Sequence, residues 1–182
     1  MRTERTSIRR EMLPMSLSIY EASVPVFIRG MRNLQAILAK AEAHAGDRGD
    51  PPSVLIEARL APDMLPFNQQ VQRVSDTAKG AAARLAGQEV PSFPDTETTF
   101  PELQERLTRT IAYLESVPAD QIEAGENRPI VLRPRGGELR FDGKTYLLSF
   151  ALPNFFFHVT TAYAILREQG VPVGKMDYLG GF

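Results

Sequence analysis

The sequence contains no cysteine and only two histidines, His44 and His158. Without cysteine there is no disulfide, no thiolate nucleophile, no zinc finger and no iron–sulfur cluster. Two histidines in one chain cannot assemble a three-histidine metal centre. Charge of one sign is also scarce: 21 Lys and Arg stand against 22 Asp and Glu, for a net charge of −1. A chain so balanced lacks the basic excess by which nucleic acid or an anionic membrane surface is recognised. Long apolar runs are missing too. The most apolar stretch, Tyr146 to Val159, falls short of the ~20 residues of a membrane span and contains Pro153, Asn154 and His158. Neither nucleic acid nor membrane is therefore expected as a partner.

What is present suits one globular unit. A chain of 182 residues that is 43% hydrophobic and 24% charged can close a single core without cross-links. The first segment stands apart. Residues 1–14 carry Arg2, Arg5, Arg9 and Arg10 against Glu4 and Glu11. They lack the apolar core of ~7–15 residues that a secretory signal needs. These residues are expected to form a flexible tail, residues 15–182 a single helical-bundle domain, and the protein to be cytoplasmic.

The prolines and glycines mostly punctuate long periodic segments. Tyr20, Val24, Phe27, Met31, Leu34, Leu38 and Ala41 recur at helical spacing, predicting a first helix from about Tyr20 to Ala45, stopped by Gly46. His44 falls in its last turn, where a structural and exposed role is expected. Gly46 to Pro52, with Arg48-Gly49-Asp50, reads as a polar connection. Met64, Phe67, Val71, Val74, Ala78, Ala81 and Leu85 predict a second helix from about Pro62 to Ala86, ended by Gly87. Pro66 either distorts its first turn or moves its regular start inward. Thr99 and Glu102 have capping-box spacing and open a third helix, which Pro118 ends. Ile130-Val131-Leu132 and Leu139 with Phe141 flank Gly136-Gly137, as in a short β-hairpin or extended insert. Lys144 to Gln169 is a fourth helical segment, broken or kinked at Pro153 and stopped by Gly170. The tail beyond it, with Val171, Val173 and Tyr178, is expected to dock. Four such stripes predict an all-α fold, a four-helix bundle.

The candidate site centres on His158. A histidine beside Phe155, Phe156 and Phe157 is either a core residue bonded to a buried acceptor or a site residue facing a pocket. Asn154 shares its helix face one turn earlier. Asp63 and Gln70 on the second helix are candidate partners, Asp63 also serving the helix dipole. Asp76 and Lys79 read as a surface pair of little worth. Asp177 and Tyr178 either cover one end of a pocket or, for Tyr178, anchor the C-terminus. The expected ligand-binding set is His158, Asn154, Asp63, Gln70 and Tyr178, with no metal and no cofactor.

Several motifs together resemble a family. They are Ala58-Arg59-Leu60-Ala61-Pro62-Asp63-Met64 with Gln70, then Asp76 to Lys79, then Leu152-Pro153-Asn154-Phe155-Phe156-Phe157-His158, Tyr163-Ala164-Ile165-Leu166-Arg167, and Asp177-Tyr178-Leu179-Gly180. From about Met15 to Gly180 the chain is similar to the bacterial domain-of-unknown-function family nineteen ninety-three, of the DinB/YfiT-like helical-bundle superfamily. The resemblance implies an up-and-down four-helix bundle, often a homodimer. It also implies relatives that hold a divalent metal through one histidine on helix two and a His-x-x-x-His pair on helix four, some of them thiol-dependent transferases or isomerases. This sequence departs from that pattern. Ala162 stands where the second histidine of the pair would be, and helix two has none. Three readings follow: a non-catalytic or small-molecule-binding bundle with a pocket around His158, a degenerate metal-dependent transferase or isomerase, and a protein-interaction module.

Overall fold

The computed structural model describes residues 17–134 and 136–181; the tail expected over residues 1–14 lies outside them. Four long helices form the body. They are α1 (Val24–Arg48), α3 (Phe67–Ala86), α4 (Phe100–Ser116) and α7 (Leu152–Glu168). Short helices α2 (Ser53–Ile56), α5 (Ala119–Glu123), α6 (Gly143–Tyr146) and α8 (Lys175–Leu179) lie between and after them. Strands β1 (Ile130–Leu132) and β2 (Leu139–Phe141) pair antiparallel before the last long helix, with Ile130 opposite Phe141 and Leu132 opposite Leu139. The fold is the expected helical bundle with its hairpin insert.

The long helices do not pack in chain order. α3 lies against both α4 and α7, and α1 against the same two, so α4 and α7 are diagonal. The links from α1 to α3 and from α4 to α7 must therefore cross an end of the bundle. That is why they carry α2, and α5 with the hairpin. The core fills from all four helices: Phe27, Leu34, Val71, Leu85, Leu103, Leu107, Phe155 and Leu166 are fully buried. Phe27 meets Phe155 edge to face at 4.9 Å.

Several element ends differ from the sequence expectation. Gly46 does not stop α1. The helix runs on to Arg48, and Gly49, at φ 69°, supplies the left-handed cap. His44 consequently lies inside the helix and is half-buried, with a buried Nε2 that has no partner among the described residues. Arg48 Nε bonds Asp50 at 2.7 Å, so the Arg48-Gly49-Asp50 turn is closed on itself. The second long helix starts at Phe67, not Pro62. Pro66 takes extended geometry at its N-cap, and residues 61–66 form an irregular turn. The capping box of Thr99 and Glu102 is formed in both directions. Lys79 and Asp76 are not a surface pair. Lys79 is 5% exposed and belongs to the buried ionic cluster described below.

The fourth segment is helical from Gly143 to Glu168, with a π turn at Leu147–Ala151 just ahead of Pro153. Pro153 has no N–H to give the carbonyl of Ser149, and its ring would press on that carbonyl. The wider turn relieves both demands. The tail docks, burying Val171 and Val173 and packing α8 on α1.

Candidate functional site

The α3–α7 interface carries the histidine, opposite the first turn of α3. His158 is half-buried on α7, and its Nδ1 stands 2.7 Å from Gln70 Oε1 on α3. Gln70 is 1% exposed. Its amide nitrogen donates to the carbonyl of Leu65 at 2.9 Å. A carbonyl only accepts, so the amide is fixed with nitrogen toward Leu65 and oxygen toward His158. Nδ1 must then carry the proton, and Nε2 is left as an acceptor. Nε2 makes no hydrogen bond among the described residues and is not sealed from solvent. Burial, with the charge of Arg73 beside it, pulls His158 down from the usual 6.5 to about 4. The imidazole is therefore neutral at physiological pH.

Asn154, one turn earlier, faces α3 as expected, but it does not touch the histidine. Its amide donates to Thr77 Oγ1 at 2.8 Å. Thr77 in turn donates to the Arg73 carbonyl at 2.7 Å. Asn154 and Thr77 line a concavity of about 470 Å³ between α3, α7 and the hairpin. Arg73, Arg84, Arg133, Tyr146 and Phe150 also reach its wall. Arg73 thus borders the concavity and also acts electrostatically on His158.

Two expected site residues lie elsewhere. Asp63 is exposed in the irregular turn before α3 and has no hydrogen bond or ion pair among the described residues. Tyr178 on α8 shares a hydrogen bond with Thr160 at 2.9 Å and meets Tyr163 edge to face. Thr160 follows His158 by two residues, about 200° around α7, so Tyr178 sits on the opposite side of that helix. It lines a separate apolar hollow of about 310 Å³ with Lys175 and Leu179. Asp177 is turned to Lys40 at 2.6 Å instead.

The residues do not suit the metal that the helical-bundle relatives imply. His158 Nδ1 is committed to Gln70, Asn154 to Thr77, and position 162 is an apolar alanine. Among the described residues no three His, Asp or Glu side chains converge on a metal position. One imidazole and an amide make a poor first-row site.

A second polar cluster went unseen in the sequence. Arg106 on α4 is 1% exposed and bonds Asp76 at 2.8 Å, Asp95 at 2.9 Å and Glu97 at 2.9 Å. Lys79 and Arg73 share Asp76, at 2.7 and 3.0 Å. Three cations and three carboxylates thus neutralise each other and tie the loop before α4 to α3. The spacing Arg73, Asp76, Lys79 was the available signal, since residues three apart share one face of a helix.

Residues 19–179 match the family described as domain of unknown function DUF1993. Among curated proteins none matches. A crystal structure of a DinB family member protein from Shewanella denitrificans superposes with a TM-score of 0.81 at 39% identity, covering 90% of this chain and 93% of that one. Among the described residues no helix is long and apolar enough to cross a membrane. With the bundle, its hairpin insert and the match over nearly the whole chain in agreement, the protein belongs to the DUF1993 family of DinB-like helical bundles.

Proposed function

We propose that this protein is a small-molecule-binding bundle that works without a bound metal, through the cleft between α3 and α7. One observation carries the reading. Burial and the charge of Arg73 keep the imidazole neutral, and Gln70 fixes its tautomer, with Nδ1 as donor to the protein and Nε2 held out as an acceptor. His158 does not itself line the α3–α7 concavity, but it stands one helical turn from Asn154, which does, so that an acceptor and an amide adjoin a hollow able to recognise a polar small molecule. The test is a fragment titration of isotope-labelled protein followed by NMR. A bound fragment is expected to move the His158 Nε2 and Asn154 amide signals together. Fragments that bind only elsewhere would overturn the reading. Metal analysis of protein purified without chelator is the opposing arm. Stoichiometric nickel, zinc or manganese, lost in His158→Ala, would restore the metal-dependent transferase or isomerase alternative.

The same reading takes the protein as a homodimer. Leu65 and Phe157, 39% and 55% exposed, flank the Gln70–His158 pair and are apolar surface that a second copy would cover. Native mass spectrometry is expected to return twice the chain mass; a monomer at micromolar concentration would overturn it.

A further inference from the structure

The α3–α7 concavity has a charge pattern of its own. Three guanidinium groups reach its wall, Arg73 and Arg84 from α3 and Arg133 from the hairpin, against the single carboxylate of Asp76. Two of the three have carboxylate partners, Arg133 sharing its own with Arg140. Arg73 bonds Asp76 and Asp95, and Arg133 lies 3.2 Å from Glu138. Arg84 differs. It has no carboxylate partner among the described residues. It donates to the phenol of Tyr146 at 3.2 Å and lies 6.0 Å from that ring. Tyr146 is 1% exposed, and burial pushes its phenol up, so it stays neutral and leaves the Arg84 charge uncompensated.

The backbone makes room for this arginine. Gly80 lies in the middle of α3 and is buried, where glycine weakens a helix relative to alanine. Its φ is helical, so no turn requires it. A β-carbon at this position would stand 2.5 Å from Arg84 Nη1 and 3.5 Å from its Cζ. Glycine therefore lets the guanidinium fold back along α3 onto the concavity. The rest of the wall is apolar or neutral: Val131, Leu139 and Phe150 on one side, Thr77 and Asn154 on the other.

We infer that this concavity takes a small organic oxyanion, a carboxylate or phosphate carried on an apolar body, with Arg84 as its anchor. The inference rests on the small-molecule reading above and names the ligand class for the same cleft. The guanidinium fork matches two oxygens of such a group, and the apolar wall accepts its body. Neither inorganic phosphate alone nor a neutral amide satisfies both halves.

Calorimetric titration of the full chain at low salt with benzoate, phenyl phosphate, inorganic phosphate and neutral benzamide tests this. Benzoate or phenyl phosphate is expected to bind at least about tenfold more tightly than benzamide, and to weaken as salt rises. Arg84→Gln is expected to lose about tenfold or more in that affinity. Gly80→Ala is the sharper variant. It is expected to leave melting unchanged or raise it, because the new methyl meets mobile guanidinium atoms, yet to weaken oxyanion binding by displacing them. Benzamide binding as well as benzoate, or oxyanion binding indifferent to both variants, would overturn the oxyanion assignment and leave the small-molecule reading standing. No binding by any of the four probes, together with silent His158 and Asn154 signals in the fragment titration, would overturn both.

Discussion

Gln70 and His158 stand 2.7 Å apart across the α3–α7 interface, and the partner that cannot ionise is the more deeply buried of the two. The tautomer of the imidazole is thereby set by an amide that only one orientation can satisfy, while burial and the Arg73 charge lower its pKa. NMR nitrogen shifts of His158 should report a neutral ring protonated at Nδ1 from pH 8 down to about pH 5. A ring that titrates near the ordinary 6.5 would contradict the assigned environment.

The same environment couples folding to pH. His158 has a lower pKa folded than unfolded, so the unfolded chain takes up the proton first as pH falls. Its contribution to stability is complete above 6.5 and is lost progressively toward about 4. Melting temperature should therefore decline across that window in the wild type. In His158→Gln the decline should be shallower. Equal slopes would mean that this residue is not the source.

Replacing Gln70 by glutamate puts a carboxylate against Nδ1. The opposite charge should raise the His158 pKa by one unit or more, into the range followed by NMR between pH 5 and 8. His158→Ala, by contrast, leaves Gln70 Oε1 buried without its donor. A loss of about 1–3 kcal/mol in urea unfolding is expected for such an orphaned acceptor.

Among the described residues Arg106 is the one cation that touches all of Asp76, Asp95 and Glu97. Arg106→Met leaves Asp76 and Asp95 with Lys79 and Arg73, and Glu97 with the Gln72 amide and no cation among the described residues. Removing one side of a buried ionic group costs about 3–5 kcal/mol. A variant as stable as wild type at pH 7 would show the cluster to be energetically neutral.

Phe155 lies on Gly30 so closely that a β-carbon there would stand 2.7 Å from its ring. Gly30→Ala should cost about 1–3 kcal/mol by overpacking, despite the better helix propensity of alanine. Adding Phe155→Leu should recover part of the loss. If the double variant is no more stable than Gly30→Ala alone, the strain lies elsewhere.

Much of this molecule could be read from local pattern. The four apolar stripes, the Thr99–Glu102 cap, the Gly87 stop and the Gly136-Gly137 hairpin each depend on neighbours within a few residues. The structure departs from local pattern where two local signals compete. Gly46 costs a helix little when its neighbours continue it, and Gly49 was the stronger stop. Pro62 suits a first helical turn, but Pro66 moved the start to Phe67. The histidine and its α3 partner Gln70 were both legible as candidates, because each flanks an apolar stripe. Their bond was not, since it joins residues 88 positions apart in the chain.

Spacing along the chain by itself determined the number of long helices, their buried faces and the shortage of metal ligands, because periodicity and composition are properties of single segments. Only the tertiary structure decided that α4 and α7 lie on a diagonal, that Asp63 and Tyr178 stand away from His158, and that Lys79 and Arg106 are buried ions. It also decided that Arg84 turns onto a concavity over Gly80. The physical reason is common to all four. Hydrogen bonds and charge pairing act over a few ångströms in space, and which residues come that close depends on how the helices pack and not on their order.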